Sequence, residues 1–316
     1  MNGKECVRRV LYGLAKIPEP GERTVLGHER TFRYKIEDRL ALLERCRIQP
    51  GGIFVLYPDP DGAMQTIVRD ASVGTPVTEA TTIDGVTQRM WRVSPTPAIS
   101  EFFNGGVAYI GDGHHRFATS QAYRDACRAQ GIAGAGHEYV MFGFVAFEDP
   151  GLLVYPAHRL VAKDKTPSFA EIESKLSERF SFSRVDGDVI EAFNAADNMT
   201  FGLAMASGER YLVAMKDVDL AEFLGEDHGP AWRDLDVSVL HRGIFENLMG
   251  LAADTEMGYE PDPDRALSRC VSGEFGMGWF MKPATPGQLR ACAVAGEFMP
   301  QKATYLFPKL PTGGEM

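Results

Sequence analysis

Apolar residues recur along this chain with two different periods, and the alternation between them predicts its elements. Leu40, Leu42, Leu43 and Cys46 form one apolar face behind a charged start, so the first 50 residues read as mostly helical. The run GGIFVLYPDPDG then predicts a strand over 53–57 ending in a turn, with a hairpin or meander after it. Further strands are expected over 89–93, 107–110 and 138–147, and again over 152–155 and 159–161 on either side of the break at Pro156. Between them Phe117, Ala118, Ala122 and Ala126 recur at nearly helical spacing up to Gly131. From about Ser168 helices over 169–180 and 189–196 mix with strands near 182 and over 201–205 and 211–215. Helices over 238–249, 262–270 and 286–295, with a strand over 278–281, complete the pattern, and Ser238 is a candidate N-cap. The closing phrase MPQKATYLFPKLPTGG carries too much proline and glycine for a regular element.

This order of elements predicts an α+β fold with a mixed sheet. The charged, proline-terminated stretch LVAKDKTPSF is the best linker, so an N-terminal portion over 1–165 and a C-terminal α/β portion over 166–316, closed by 297–316, are expected. With 316 residues, 44% hydrophobic and 24% charged, the chain can bury a real core. Its formal net charge of −10 argues against a sequence-independent binder of nucleic acid or anionic membrane. The longest apolar run, 140–147, falls far short of the roughly 20 residues of a membrane helix. The opening residues lack the apolar core of a signal peptide, so a cytoplasmic protein is expected. Five scattered cysteines with no CxxC pair suggest reduced, mostly structural thiols.

The chemistry concentrates in YIGDGHHRFATSQAYRD, residues 109–125, where Asp112, Gly113, His114, His115 and Arg116 follow one another between a strand and a helix. Gly111 and Gly113 bracket the acid and let the backbone turn sharply and approach a ligand closely. Free N–H groups, the positive end of a helix dipole and a cationic side chain then converge, which suits phosphate. Two other readings stay open. One is a structural aspartate–histidine pair, the other a metal site, which is disfavoured because adjacent histidines do not reach one ion without strain. In the phosphate reading an acid would orient a nucleophile or hold Mg²⁺, a role open to Asp112. A second constellation, GHERTFRYKIEDR over 27–39, offers Glu29 beside His28 as a general base and Arg39 as a bidentate clamp, or else only a solvated helix start. YPAHRL adds His158 and Arg159, and the closing phrase adds Lys302 and Lys309, as anion contacts.

The phrases GHERTFRYKIEDRLALLERCR, YIGDGHHRFATSQAYRD and AVAGEFMPQKATYLFPKLPTGG, with YPAHRLV and DVSVLH between them, resemble the bacterial and archaeal family known as domain of unknown function 1015. Its core is similar to the ParB and sulfiredoxin-like superfamily, whose comparable loop binds nucleotide phosphates and some of whose members are kinases of free serine. The resemblance implies phosphoryl transfer from ATP, ADP or pyrophosphate, with Mg²⁺, to serine or a related hydroxy compound. It places Gly111, Gly113, His115 and Arg116 on phosphate, Glu29, Asp112 and His114 in catalysis, and His28, Arg39, His158, Arg159 and Lys302 near the substrate. Family members usually carry a further N-terminal segment with a phrase like PPYDVI, which this sequence starts without. A non-catalytic nucleotide-binding module and a metal-dependent hydrolase using His28, His114, His115 or His158 are the competing expectations.

Overall fold

The most apolar segment of the chain, IFVLY, is buried at all five positions as strand β3 (Ile53–Tyr57) in the middle of a sheet. A strand covered on both faces has no polar side to alternate with, hence the unbroken apolar run. The computed structural model describes residues 5–83, 85–197 and 199–311. In these, β1 (Leu11–Lys16) and β2 (Val25–Leu26) precede helix α1 (Arg33–Cys46), and β3 is followed by α2 (Ala63–Ala71). Then come β4 (Thr78–Thr81), β5 (Thr87–Met90), α3 (Pro97–Phe103), β6 (Ala108–Asp112), α4 (His114–Ala129) and β7 (Tyr139–Ala146). The five-stranded sheet has the order β1-β7-β3-β6-β2. It is mixed: β1/β7 and β3/β6 pair antiparallel, β3/β7 and β2/β6 parallel.

The expectation that the first 50 residues are mostly helical is corrected here. The segment LYGLAK, β1, runs antiparallel to β7 from Leu11 opposite Phe144 to Lys16 opposite Tyr139. A partner more than a hundred residues away decides its conformation, and no local period reveals that. Two helices of the stretch before the histidine motif, α2 and α3, also have no counterpart in the sequence pattern. Helix α2 is started by Asp59, whose carboxylate accepts from the Met64 and Gln65 N–H groups at 3.3 and 2.8 Å, and Met64, Ile67 and Val68 pack its inner face. Only after it does the anticipated hairpin follow, as β4 and β5.

By compactness the chain forms two units, one made of residues up to Leu153 and again from Leu306, the other Val154–Tyr305. The chain passes between them at β8 (Leu153–Tyr155) and β15 (Tyr305–Phe307); the latter is a short strand in the closing phrase, where no regular element was expected. Residues 312–316 of that phrase lie outside the described residues. The first unit has a core of Ile17, Ile53, Val55, Ile110, Phe117, Val140 and Phe142. In the second unit β9 (His158–Val161), α5 (Phe169–Leu176), β10 (Phe180–Arg184), α6 (Val189–Ala195), β11 (Thr200–Met205) and β12 (Arg210–Met215) lead to short helices α7 (Leu220–Leu224) and α8 (Pro230–Arg233). Helix α9 (Asp236–Ser238) runs on as a π-wound stretch over Val239–Met249, before β13 (Met257–Glu260), α10 (Pro263–Val271), β14 (Met277–Phe280) and α11 (Pro286–Ala295). Ser238 is therefore buried inside a helix that begins at Asp236 and is not its N-cap. The six strands of this unit order as β10-β12-β11-β14-β9-β13, every neighbouring pair antiparallel, so the mixed sheet belongs to the first unit alone. No helix among the described residues is long and apolar enough to cross a membrane.

Candidate functional site

Strand β6 ends at Asp112, Gly113 turns the chain, and α4 begins at His114, so the motif stands at a strand-to-helix junction in the first unit. Gly113 has φ +103°, in the left-handed region that favours glycine. A Cβ there would also lie 3.0 Å from the Arg116 guanidinium, so two independent demands require glycine. The first N–H groups of α4 have no acceptor within the helix and point out of its start, next to Asp112.

Asp112 is held between two cations. Its Oδ2 accepts from Arg116 Nη2 at 3.0 Å, and its Oδ1 lies 3.2 Å from Lys309 Nζ, contributed by the closing segment. Arg116 also donates through Nη1 to the Gly52 carbonyl at 2.6 Å, ahead of β3. The side chains of all three are between a third and a half exposed, so a ligand reaches them. Asp112 alone thus faces two cations beside the positive end of a helix.

The two histidines do something the sequence did not disclose. His114 Nε2 accepts the backbone N–H of His28 at 3.1 Å, and His115 Nε2 accepts the backbone N–H of Phe32 at 3.1 Å. Each ring is thereby fixed as the neutral tautomer that carries its proton on Nδ1. His114 Nδ1 points to Glu29 Oε2 at 3.6 Å, and the Glu29 side chain is about one-third exposed. Burial, helped by the neighbouring His28 and His115, holds His114 well below the ordinary imidazole range. Desolvation lowers His28, which is fully buried, to about 4. The His28 and His114 rings meet edge to face with centroids 4.6 Å apart, and a Cβ on Gly27 would come within 2.8 Å of the His114 ring.

The structure thus gathers Glu29, Asp112, His114, His115, Arg116 and the two glycines around one junction, with Lys309, Gly27, Gly52 and Phe32 as members that the sequence reading did not assign there. Lys309 had a signal, being named beside Lys302 as an anion contact; the main-chain groups of Gly52 and Phe32 had none. His28, expected to meet substrate, lies beneath the site, fully buried. Arg39 is exposed on α1 and donates to the Lys35 carbonyl of its own helix at 3.1 Å.

His158, Arg159 and Lys302 belong to the second unit. His158 is buried, its Nδ1 accepting from the Met281 N–H at 3.4 Å, and desolvation lowers it to about 3. Arg159 is fully buried beneath the ring of Tyr259. It donates to His241 Nε2 at 2.7 Å and to the carbonyls of Ala157, Gln301 and Lys302. A guanidinium engaged in this way holds main chain together and is not presented to a substrate.

The metal readings meet a physical obstacle. Both oxygens of Asp112 are taken by Arg116 and Lys309, and an imidazole lone pair that accepts an N–H is closed to a cation. Among the described residues no group of three or more His, Cys, Asp or Glu is arranged to hold a metal ion. A histidine-based hydrolytic centre therefore does not assemble among the described residues, and an Mg²⁺ at Asp112 would have to share its carboxylate with two cations.

The family model described as "Protein of unknown function (DUF1015)" matches residues 1–238. No curated protein matches the chain. Among solved structures, a conserved hypothetical protein from Pyrococcus furiosus is 14% identical, with 98% of this chain and 96% of that one covered and a TM-score of 0.44. A free serine kinase in complex with AMP is 14% identical over 97% and 92% of the two chains, with a TM-score of 0.46. A mutant of a free serine kinase in complex with ADP is 12% identical over 98% and 91%, with a TM-score of 0.47.

Proposed function

The chain belongs to the family of proteins of unknown function DUF1015, and from the geometry of its first unit we propose that it is a small-molecule kinase. It transfers a phosphoryl group from ATP, ADP or pyrophosphate to the hydroxyl of free serine or a related hydroxy compound. The observation that carries this reading is the approach of a partly exposed carboxylate, Glu29, to His114 at the first residue of a helix whose start is flanked by Arg116 and Lys309. Glu29 takes the proton from the acceptor hydroxyl, and the oxygen of that hydroxyl, not of Glu29, then forms the new bond to phosphorus. The bond from that phosphorus to the leaving oxygen breaks, releasing ADP, AMP or phosphate. The N–H groups at the start of α4, with Arg116 and Lys309, meet the charge on the transferred group. The Nδ1 proton of His114 faces the Glu29 carboxylate across 3.6 Å. No step here requires a metal ligand from Asp112.

Incubation of the protein with serine and each donor, followed by ³¹P spectroscopy, is expected to yield phosphoserine. Glu29→Gln is expected to lower kcat about a hundred- to ten-thousand-fold. Absence of product with every donor and hydroxy compound, or an unimpaired Glu29→Gln enzyme, sinks the proposal. The double ion pair of Asp112 favours one alternative, a module that binds nucleotide without turnover, and calorimetry showing binding alone would establish that instead.

A further inference from the structure

The loop between β2, which ends at Leu26, and α1, which starts at Arg33, carries Glu29 and is held from both ends by main-chain hydrogen bonds to the histidine pair. We propose that His115 is a positioning residue: by holding the backbone N–H of Phe32 on its Nε2 it fixes the loop that carries Glu29. Its kinetic consequence rests on the reading of Glu29 as base, whereas the clamp itself stands on geometry.

Successive residues of a helix point about 100° apart, so His114 and His115 cannot serve one ion but can reach two points of a facing segment. The points they reach are His28 and Phe32, one immediately before Glu29 and the other three residues after it. Phe32 precedes α1 with φ −104° and ψ 130°, and no side chain caps that helix start, so its N–H is outside the helical ladder and is taken up by His115. The contact is reinforced by stacking, with the Phe32 and His115 rings 15° from parallel and 5.9 Å between centroids, and Lys35 Nζ lies 5.1 Å from the Phe32 ring. His115 is only half-buried, and its ring stacks on Phe32. Because the acceptor faces a backbone group, the hydrogen bond itself depends on the side chain at 115 and not on the one at 32, which adds only the stacking.

Hydrogen exchange of the loop amides tests the clamp directly. His115→Ala is expected to speed exchange of the Phe32 amide about tenfold, the scale set by one net hydrogen bond. His115→Gln, whose side-chain carbonyl replaces the lost acceptor, is expected to restore protection. His115→Phe keeps a ring for stacking but offers no acceptor, so it is expected to behave like alanine and provides a second route should alanine fail to fold. Equal protection in the wild type, His115→Ala and His115→Phe overturns the clamp. In kinetics, loss of the clamp is expected to lower kcat about tenfold at unchanged donor KM, with recovery in His115→Gln. A raised donor KM at unchanged kcat would instead assign His115 to phosphate and overturn the positioning role. Absence of turnover in the wild type refutes the kinase reading alone, since the exchange result still decides the clamp.

Discussion

Arg116 in the first unit and Arg159 in the second carry the same side chain into opposite circumstances. Arg116 is more than one-third exposed, shares Asp112 with Lys309 and touches one carbonyl. Arg159 is fully buried, and the acceptors recorded for it are three carbonyls and a neutral imidazole. The first arrangement leaves charge where a solute meets it; the second spends charge on ordering the chain around Gln301 and Lys302. The lesson is that a cationic residue in a family phrase is a ligand contact only if its donors are left facing solvent. YPAHRL and DGHHR look equally chemical as text, and only burial separates them.

The largest expected effect breaks this comparison on the side of Arg159. Arg159→Met leaves the carbonyls of Ala157, Gln301 and Lys302 without their buried donor and is expected to cost about 3 kcal/mol or more in urea unfolding. Arg116→Gln should cost far less and act on donor KM. Equal losses of stability would show that the two arginines are not used differently.

Histidine titration sharpens the same contrast. His28 is lowered to about 4, and His158 and His241 to about 3, by burial, with Arg159 adding to the last two. The unfolded chain takes up these protons first, so their contribution to stability is complete above about 6.5 and falls as pH drops. Each proton contributes a slope of about 1.4 kcal/mol per pH unit, ending near 4 for His28 and near 3 for the second-unit pair. Denaturation curves from pH 8 to 4, with ring proton shifts followed by NMR, check this; titration of these rings near 6.5 would contradict it.

Smaller effects belong to the site. Gly113→Ala forces a side chain into a left-handed conformation and against Arg116, and is expected to cost about 1–3 kcal/mol in thermal or urea unfolding. Lys309→Gln removes one half-exposed partner of Asp112 and should change stability by about 1 kcal/mol or less, while raising donor KM at low salt more than at high salt. A salt-independent effect would remove Lys309 from the electrostatic account.

Much of this was legible in the sequence. IFVLY, the helix after DGHHR and the strand-helix alternation past Ser168 announce themselves because local period and tertiary environment agree. The strand LYGLAK did not, because its conformation follows from pairing with β7. At the site, Glu29, Asp112 and Arg116 were visible as titratable letters. The partners of His114 and His115 were not, since backbone amides have no letter of their own. The tail was undervalued for a related reason: the two lysines are alike as text, and only the fold brings Lys309 to Asp112.

The return of the closing segment has a consequence for the birth of the protein. Lys309 stands 197 positions after the aspartate it neutralises, and the whole second unit is synthesised in between. While a ribosome is still making that unit, Asp112 has Arg116 but no Lys309, and Gly111 lacks the Leu306 side chain that comes to rest against it. Until residue 309 has been made, Asp112 in the nascent chain therefore has one of its two cations.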